Sequence, residues 1–470
     1  MQETTITNHL QGLRQPWKCQ LPAAVRPFVA AMPQEFRRET LIAALTCYGV
    51  YMPRVRFNYV YDKREHVTVL QVVVLAPQSG NKSVIDYIVS RLVGRLRRRD
   101  KIFRREEEDW QENPMSEPNA KGQCFQRKRP LKPIITLGAT MSLTQLVIRA
   151  DVPERLWDEP LILFLYAEEV QELVNNNKKD FSNLGPAIRK GYDCGSTLDQ
   201  DYVSSYSATP DLLLSHIVMG TQGGVDNFMN ATELEQGGLT RKVLLRLPGD
   251  LADDAPLIRD FTPEEECTID ATISELMAQT YSRDEKSLLP VEHLDMKWMV
   301  STVRRWCDDI RQEVKLSGSV ALGTFYKRAS VSAFRLTAIL AKLYLMDRNR
   351  PANWQNICRR AYRYMAGYIL DGLLTEWGGQ FEAIVARQAK QHLGLQEPLF
   401  TICPETFTRE WFNNLVAERG LAKGARQFLY TWKKSGWITE SQEDGDTLYT
   451  KTEKGRLAHN RLMKRKGGDT

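Results

Sequence analysis

Four short apolar runs rich in β-branched residues constrain this chain more than any other feature: His66–Ala76 (HVTVLQVVVLA), Leu161–Tyr166 (LILFLY), Leu212–Met219 (LLLSHIVM) and Lys242–Leu247 (KVLLRL). A strand with one wet face alternates apolar and polar residues, whereas a nearly unbroken apolar strand is covered on both faces, as in a parallel sheet between helices. Stretches of helical spacing lie between the runs: Ile85, Tyr87-Ile88 and Leu92-Val93 after Ser83, then Ser142–Ala150 and Ala167–Val174, with a further short strand expected at Pro133–Leu137. Such alternation predicts a three-layer α/β domain with a parallel sheet, over about residues 61–260.

The flanks read differently. Helical spacing from Leu21 to Tyr51 predicts a helical lead-in within residues 1–60, and polar, proline-containing Pro114–Pro133 reads as a loop or insertion. Beyond Pro263 strands are expected to stop, and Glu264–Tyr281, Val291–Lys315, Gly323–Met346 and Trp354–His392 predict a helical domain over residues 261–395. Residues 396–470 then offer two helices (Thr408–Ala417 and Lys423–Ser435) and a strand, polar tip and strand, the outline of a winged helix-turn-helix.

Composition narrows the function classes. The 470 residues carry 64 Lys plus Arg against 58 Asp plus Glu, a formal charge of +6, so nucleic-acid affinity has to come from local patches. Eight cysteines without a CxxC pair and six histidines without HExxH spacing argue against structural zinc and a disulfide framework. No run approaches the roughly 18 apolar residues of a membrane helix, and the first residues lack an apolar signal core, so a cytoplasmic protein without membrane contact is expected.

The strongest chemical signal is Ala76-Pro77-Gln78-Ser79-Gly80-Asn81-Lys82-Ser83, between a buried strand and a helix. A phosphate-binding loop arranges backbone N–H groups around a polyphosphate, reaches the outer phosphates with a Lys and holds Mg²⁺ with a Ser or Thr. Lys82 and Ser83 occupy those two places. Ala76 and Asn81 stand where the usual pattern has glycine, and an ordinary polar turn is the competing reading. Asn81 tolerates a left-handed φ, so the turn can form, yet its side chain sits where phosphates approach.

Other strand ends add to the set. Leu161–Tyr166 ends in Ala167-Glu168-Glu169, supplying a carboxylate to hold Mg²⁺ through water and polarise the attacking water. Leu212–Met219 ends in Gly220-Thr221-Gln222, where Thr221 or Gln222 is placed to sense the γ-phosphate. Gly237-Gly238-Leu239-Thr240-Arg241-Lys242 precedes the last run, with Arg241 as a candidate arginine finger across a subunit boundary. Taken singly, each has an ordinary structural explanation; the ordered set at successive strand ends predicts a P-loop NTPase.

At the C-terminus, Lys423, Arg426, Lys433 and Lys434 lie on or beside the expected recognition helix, spaced to track phosphates, with Trp432 and Trp437 packing inside. From Lys451 onward seven basic residues face two acidic ones, which favours nucleic acid through counterion release. A protein-binding winged helix is the alternative. Arg95, Arg97, Arg98 and Arg99, followed by Glu106, Glu107 and Glu108, read as a solvated, salt-bridged helix.

The segments APQSGNKS, LILFLYAEE, DFSNLGPAIRKGYD, SHIVMGTQ and GGLTRKVLLRLP together resemble a P-loop family of uncharacterised function carried by bacterial mobile elements and prophages and associated with primase-like proteins. Residues 20–300 carry the likeness, although Ala76 and Asn81 depart from the family's richer glycine loop. In layout the family is similar to AAA+ and superfamily 3 helicases. The resemblance implies a DNA-linked ATPase in replication or mobilisation of a genetic element, using ATP and Mg²⁺, assembled as a homo-oligomeric ring. Lys82 and the loop residues Pro77–Ser83 would bind the nucleotide, Ser83 and Glu168 the metal, Glu168 or Glu169 would polarise water, and Arg241 would act in trans. The alternative is a non-hydrolysing DNA-binding accessory factor that recruits a primase, relaxase or recombinase.

Overall fold

The four apolar runs and Thr136–Leu137 assemble into a five-stranded sheet in which every neighbouring pair is parallel. The computed structural model describes residues 9–62, 64–78, 80–116, 124–177, 184–194, 208–249, 258–280, 290–418, 425–443 and 446–466. In chain order, β1 (Val55–Asn58) and β2 (Glu65–His66) precede β3 (Gln71–Leu75), β4 (Thr136–Leu137), β5 (Ile162–Ala167), β6 (Leu213–Gly220) and β7 (Val243–Arg246). The spatial order is β4-β5-β6-β3-β7. From β3 the chain crosses to the far edge, returns strand by strand to β6, then passes β3 to β7. Unbroken burial along β3 and β6 is what the apolar runs require: with helices on both faces, each buried valine contributes about 1.5–3 kcal/mol.

Residues 66–76 differ from the single expected strand. Thr68 turns its hydroxyl onto the carbonyl oxygens of Gly49 (2.8 Å) and Met52 (3.2 Å), and residues 67–70 bend between β2 and β3. A second correction lies past Pro263, where β8 (Glu292–His293) pairs in parallel with β1, itself antiparallel to β2.

The chain divides into two units, Met1–Phe381 and Glu382–Thr470. The lead-in, the α/β core and the helical stretch as far as Phe381, expected as three domains, therefore belong to one unit, and residues 382–395 of the expected helical domain fall in the other. The helix Arg37–Val50 of the lead-in is buried over all of Glu39–Val50. Helix Val320–Met346 has the length and apolarity to cross a membrane, which the run-by-run reading missed, but 89% of its apolar window is buried inside the protein. Helix Ser83–Glu112 is fastened to helix Leu143–Trp157 by a bidentate pair between Arg149 and Glu107, 2.7 Å for each bond. Buried Asp100 on the same helix accepts from the backbone N–H of Ile135 (2.9 Å) and Thr136 (2.6 Å), so the short β4 is pinned by a side chain as well as by its ladder. The arginine stretch is salt-bridged as expected, Arg95 to Asp270 and Arg99 to Asp100, but it is less solvated than expected, with Arg97 stacked 4.7 Å over the Tyr166 ring and Arg99 donating to the Pro133 carbonyl (3.1 Å).

In the second unit, β9 (Thr406–Thr408), helices Arg409–Glu418 and Ala425–Lys434, the hairpin β10 (Ile438–Glu443) and β11 (Asp446–Lys451), and helix Glu453–Lys466 follow in order. The strands form an antiparallel sheet, β10-β11-β9, closed over Phe400, Phe407, Phe412, Phe428 and Trp432. Trp432 is fully buried, with Trp437 packed against the same cluster.

Candidate functional site at the C-terminal edge of the sheet

Parallel strands end together, so the chain segments that leave them share one edge. Leu75 is in register with Gly220 on one side and Arg246 on the other, and Ala167 with Val218. The residues that follow, Ala76, Thr221, Leu247 and Glu168, are thereby gathered within about two rows. Crossover direction reverses at β3, leaving a crevice outside the carboxyl ends of the strands. A cleft of about 640 Å³ lies there, lined by Ala76, Pro77, Gln78, Thr221, Gln222 and Arg246 among others.

The loop leaves β3 with the Ala76 N–H donating to the Gly220 carbonyl (2.9 Å) and closes on itself through Gly80 N–H to Pro77 O (2.9 Å). Gly80 is needed for closure, because a Cβ there would lie 2.5 Å from Pro77 Cγ. Asn81 has φ +21°, on the border of the left-handed region. Helix Ser83–Glu112 starts directly after, with Ser83 exposed in its first turn. Ser79 lies outside the described residues.

Lys82 and Glu169, 87 residues apart, form an ion pair across this edge. Glu169 keeps 55% of its side chain exposed, and Glu168 is exposed beside it. Thr221 is the N-cap of helix Gln222–Phe228, with no side-chain cap bond. Gln222 donates to Asp226 (3.0 Å) and to Glu376.

One cleft residue and its ion-pair partner escaped the sequence reading. Arg246, the last residue of β7, is half exposed and forms an ion pair with Glu376. Glu376 sits in a five-residue π-helical turn, Leu374–Gly378, with only 11% of its side chain exposed. A charged residue near the end of KVLLRL was a readable signal, of the same kind as the glutamates ending LILFLYAEE. Glu376 had none, since it arrives from another part of the sequence.

Arg241 is not brought to the loop. It lies ahead of β7, at the opposite edge of the sheet, bound to Asp193 (2.6 Å) and to the Gly237 carbonyl (2.6 Å). Burial pushes the Asp193 carboxyl up, but the bonds and charge of Arg241, with Arg328, outweigh it and hold the group below the usual range. The adjacent Lys242 is 1% exposed and donates to Gln71 Oε1 (2.6 Å) and His216 Nε2 (3.0 Å), tying β7, β3 and β6 in one buried row. Burial lowers the Lys242 amine to about 7 and, with the Lys242 charge, holds His216 well below its ordinary value.

In the second unit, Arg426, Lys433 and Lys434 are exposed on helix Ala425–Lys434, around the 66% exposed Tyr430, and Lys433 pairs with Glu440, which raises its amine. Lys423 lies outside the described residues. Lys451 is corrected as a DNA contact. It is 4% exposed, donates to the Cys403 carbonyl (2.6 Å) and His459 Nδ1 (3.0 Å), and burial lowers its amine. Alternation along β11 turns it inward, which a count of basic residues does not detect.

No family model matches the chain, and no curated protein matches it.

Proposed function

We propose that the protein is a DNA-linked ATPase of the P-loop class, with its nucleotide at the C-terminal edge of the sheet and DNA on a winged-helix unit. The observation that carries this reading is the meeting of Lys82 with Glu169: the one lysine of the loop touches the acidic end of a strand two positions away in the sheet. A cation and a carboxylate so placed serve both parts of phosphoryl transfer. Lys82 would leave Glu169 for the β- and γ-phosphates, and the freed carboxylate of Glu169, or Glu168, would orient the attacking water. Thr221 or Gln222 would read the γ-phosphate at the neighbouring strand end. The Ser83 hydroxyl and the Glu168 carboxylate are hard oxygen donors suited to Mg²⁺. When bound, the metal would neutralise the negative charge of the phosphates. Arg241, in a homo-oligomeric ring, would act on a neighbour's nucleotide and would first have to leave Asp193. The role read for such an ATPase is replication or mobilisation of a genetic element in the cytoplasm, supported by the resemblance of its loop and strand-end segments to mobile-element P-loop proteins.

A second reading is favoured by the closed loop. The Gly80 N–H is spent on Pro77, and Asn81 stands where glycine usually admits phosphate. A loop that does not open would leave a non-hydrolysing, DNA-binding accessory factor that recruits a primase, relaxase or recombinase.

Hydrolysis of ATP with and without single-stranded DNA, by the full chain and by Lys82→Ala, separates the two. DNA-stimulated turnover that falls at least about 100-fold in the variant is expected. Absence of turnover with intact DNA binding would leave the accessory factor.

A further inference from the structure

Helix Val320–Met346, the bend around β2 and the start of helix Gly185–Tyr192's exit at Asp193 enclose a cavity of about 470 Å³, on the side of the sheet where β3 begins. It is separate from the loop, which leaves the other end of β3. Five Arg and Lys side chains line it against three carboxylates. The carboxylates are already engaged: Asp62 accepts from His66 (3.0 Å), Glu65 pairs with His293 (3.5 Å), and Asp193 is shared by Arg241 (2.6 Å) and Arg328 (3.0 Å).

Arg335 carries the argument further. It is 1% exposed, yet among the described residues it has no carboxylate partner. One terminal nitrogen donates to the carbonyls of Val69 (3.0 Å) and Tyr192 (2.9 Å), the other to His66 Nδ1 (3.3 Å) and Cys194 Sγ (3.2 Å). Its Nε is buried and has no hydrogen-bond partner among the described residues. Asp193, the carboxylate that feels the Arg335 charge, is held directly by Arg241 and Arg328; a buried guanidinium without an ion pair of its own is costly, and an anion in the adjoining cavity offsets that cost. Neighbouring groups register the positive field. Burial, followed by the charge of Arg335, lowers the His66 imidazole despite its contact with Asp62.

The rim supplies both halves of one ligand class. Exposed Lys327 and half-buried Arg328 stand about two turns from Arg335 on the same helix, with exposed Arg64 on the β1–β2 connection. Tyr61, 44% exposed, is backed by the Arg311 guanidinium 5.0 Å from its ring centre. Cations with an accessible aromatic face suit a phosphate joined to a flat base. We propose that this cavity binds a nucleoside phosphate unit, either a free nucleotide or one residue of a nucleic-acid strand, with Arg64, Lys327 and Arg328 at the phosphate and Tyr61 against the base.

The test uses the full chain carrying Lys82→Ala, so that the loop cannot account for binding and a failure of the ATPase reading leaves the result intact. Fluorescence anisotropy follows two probes, a labelled oligothymidylate of about ten nucleotides and a fluorescent adenosine monophosphate. Adding Arg64→Ala with Lys327→Ala, both exposed side chains, is expected to weaken binding about tenfold and to make the salt dependence shallower by about one to two phosphate contacts. Tyr61→Ala is expected to weaken it about tenfold with little change in salt dependence. Thermal melts of the variants that match the parent exclude unfolding as the cause. Oligonucleotide binding that these substitutions weaken, without mononucleotide binding, identifies a strand as the source, and mononucleotide binding that they weaken identifies a free nucleotide. Failure of both probes to bind, or affinity indifferent to all three substitutions, overturns the proposal.

Discussion

The two ends of the parallel sheet handle charge in opposite ways. At the end where β3 begins, Lys242, Gln71 and His216 form a buried row whose donors and acceptors are spent on one another and on the carbonyls of Val72, Ile188 and Leu214. At the end where β3 finishes, Lys82, Glu169 and Arg246 are open to solvent and joined only by ion pairs. A buried network is committed to the fold, since breaking it strands polar groups without water, whereas exposed pairs are worth little and exchange partners readily. Position along the strand thus separates residues that hold the sheet from residues available to a ligand.

The largest expected effect breaks the buried row. An amine held at about 7 when folded, against 10.5 when unfolded, makes the unfolded chain bind more protons between those values, so stability rises with pH across that window by roughly 5 kcal/mol. Denaturant titrations from pH 7 to 10 check this rise, and Lys242→Met should flatten it. His216 acts with the same sign lower down: its depressed folded value means stability is lost as pH falls below about 6.5. A flat profile from pH 5 to 10 would remove the distinction between the two ends.

A smaller effect sharpens it from the other side. Gly80→Val places atoms against Pro77 and should lower ATP affinity at least about tenfold, while the melting temperature moves by only a few degrees, since the loop is not part of the core. Glu376→Gln removes the carboxylate that holds Arg246, freeing a cation to face the cleft, and should tighten ATP binding about threefold. The smallest effect is on stability alone: Lys82→Ala should change the unfolding free energy by less than about 0.5 kcal/mol, because its pair with Glu169 is solvated.

Local signals were legible in the sequence where burial and periodicity coincide. The runs at 161–166, 212–219 and 242–247 become β5, β6 and β7, and the helix after Ser83 extends to Glu112. Strand ends were readable as well, because a charge after an apolar run marks an edge. What escaped was set by contacts distant in sequence. Thr68 bends an apparently continuous strand by reaching Gly49 and Met52, and Glu292–His293 becomes a strand only because β1 lies beside it. Lys451 reads as a DNA contact and Lys242 carries no role of its own in the sequence, yet both are buried, their amines satisfied by Cys403 and Gln71 from other segments. Glu376 reaches Gln222 from 154 residues away, a pairing that no local pattern encodes.

Calorimetric titration of ATP with Mg²⁺ into the full chain and into Lys82→Ala tests the central claim, that the end of β3 is the ligand edge, most directly. Binding in the micromolar range, weakened at least about tenfold by the substitution, is the predicted result. Equal affinity in the two proteins, or no heat of binding in either, would contradict it.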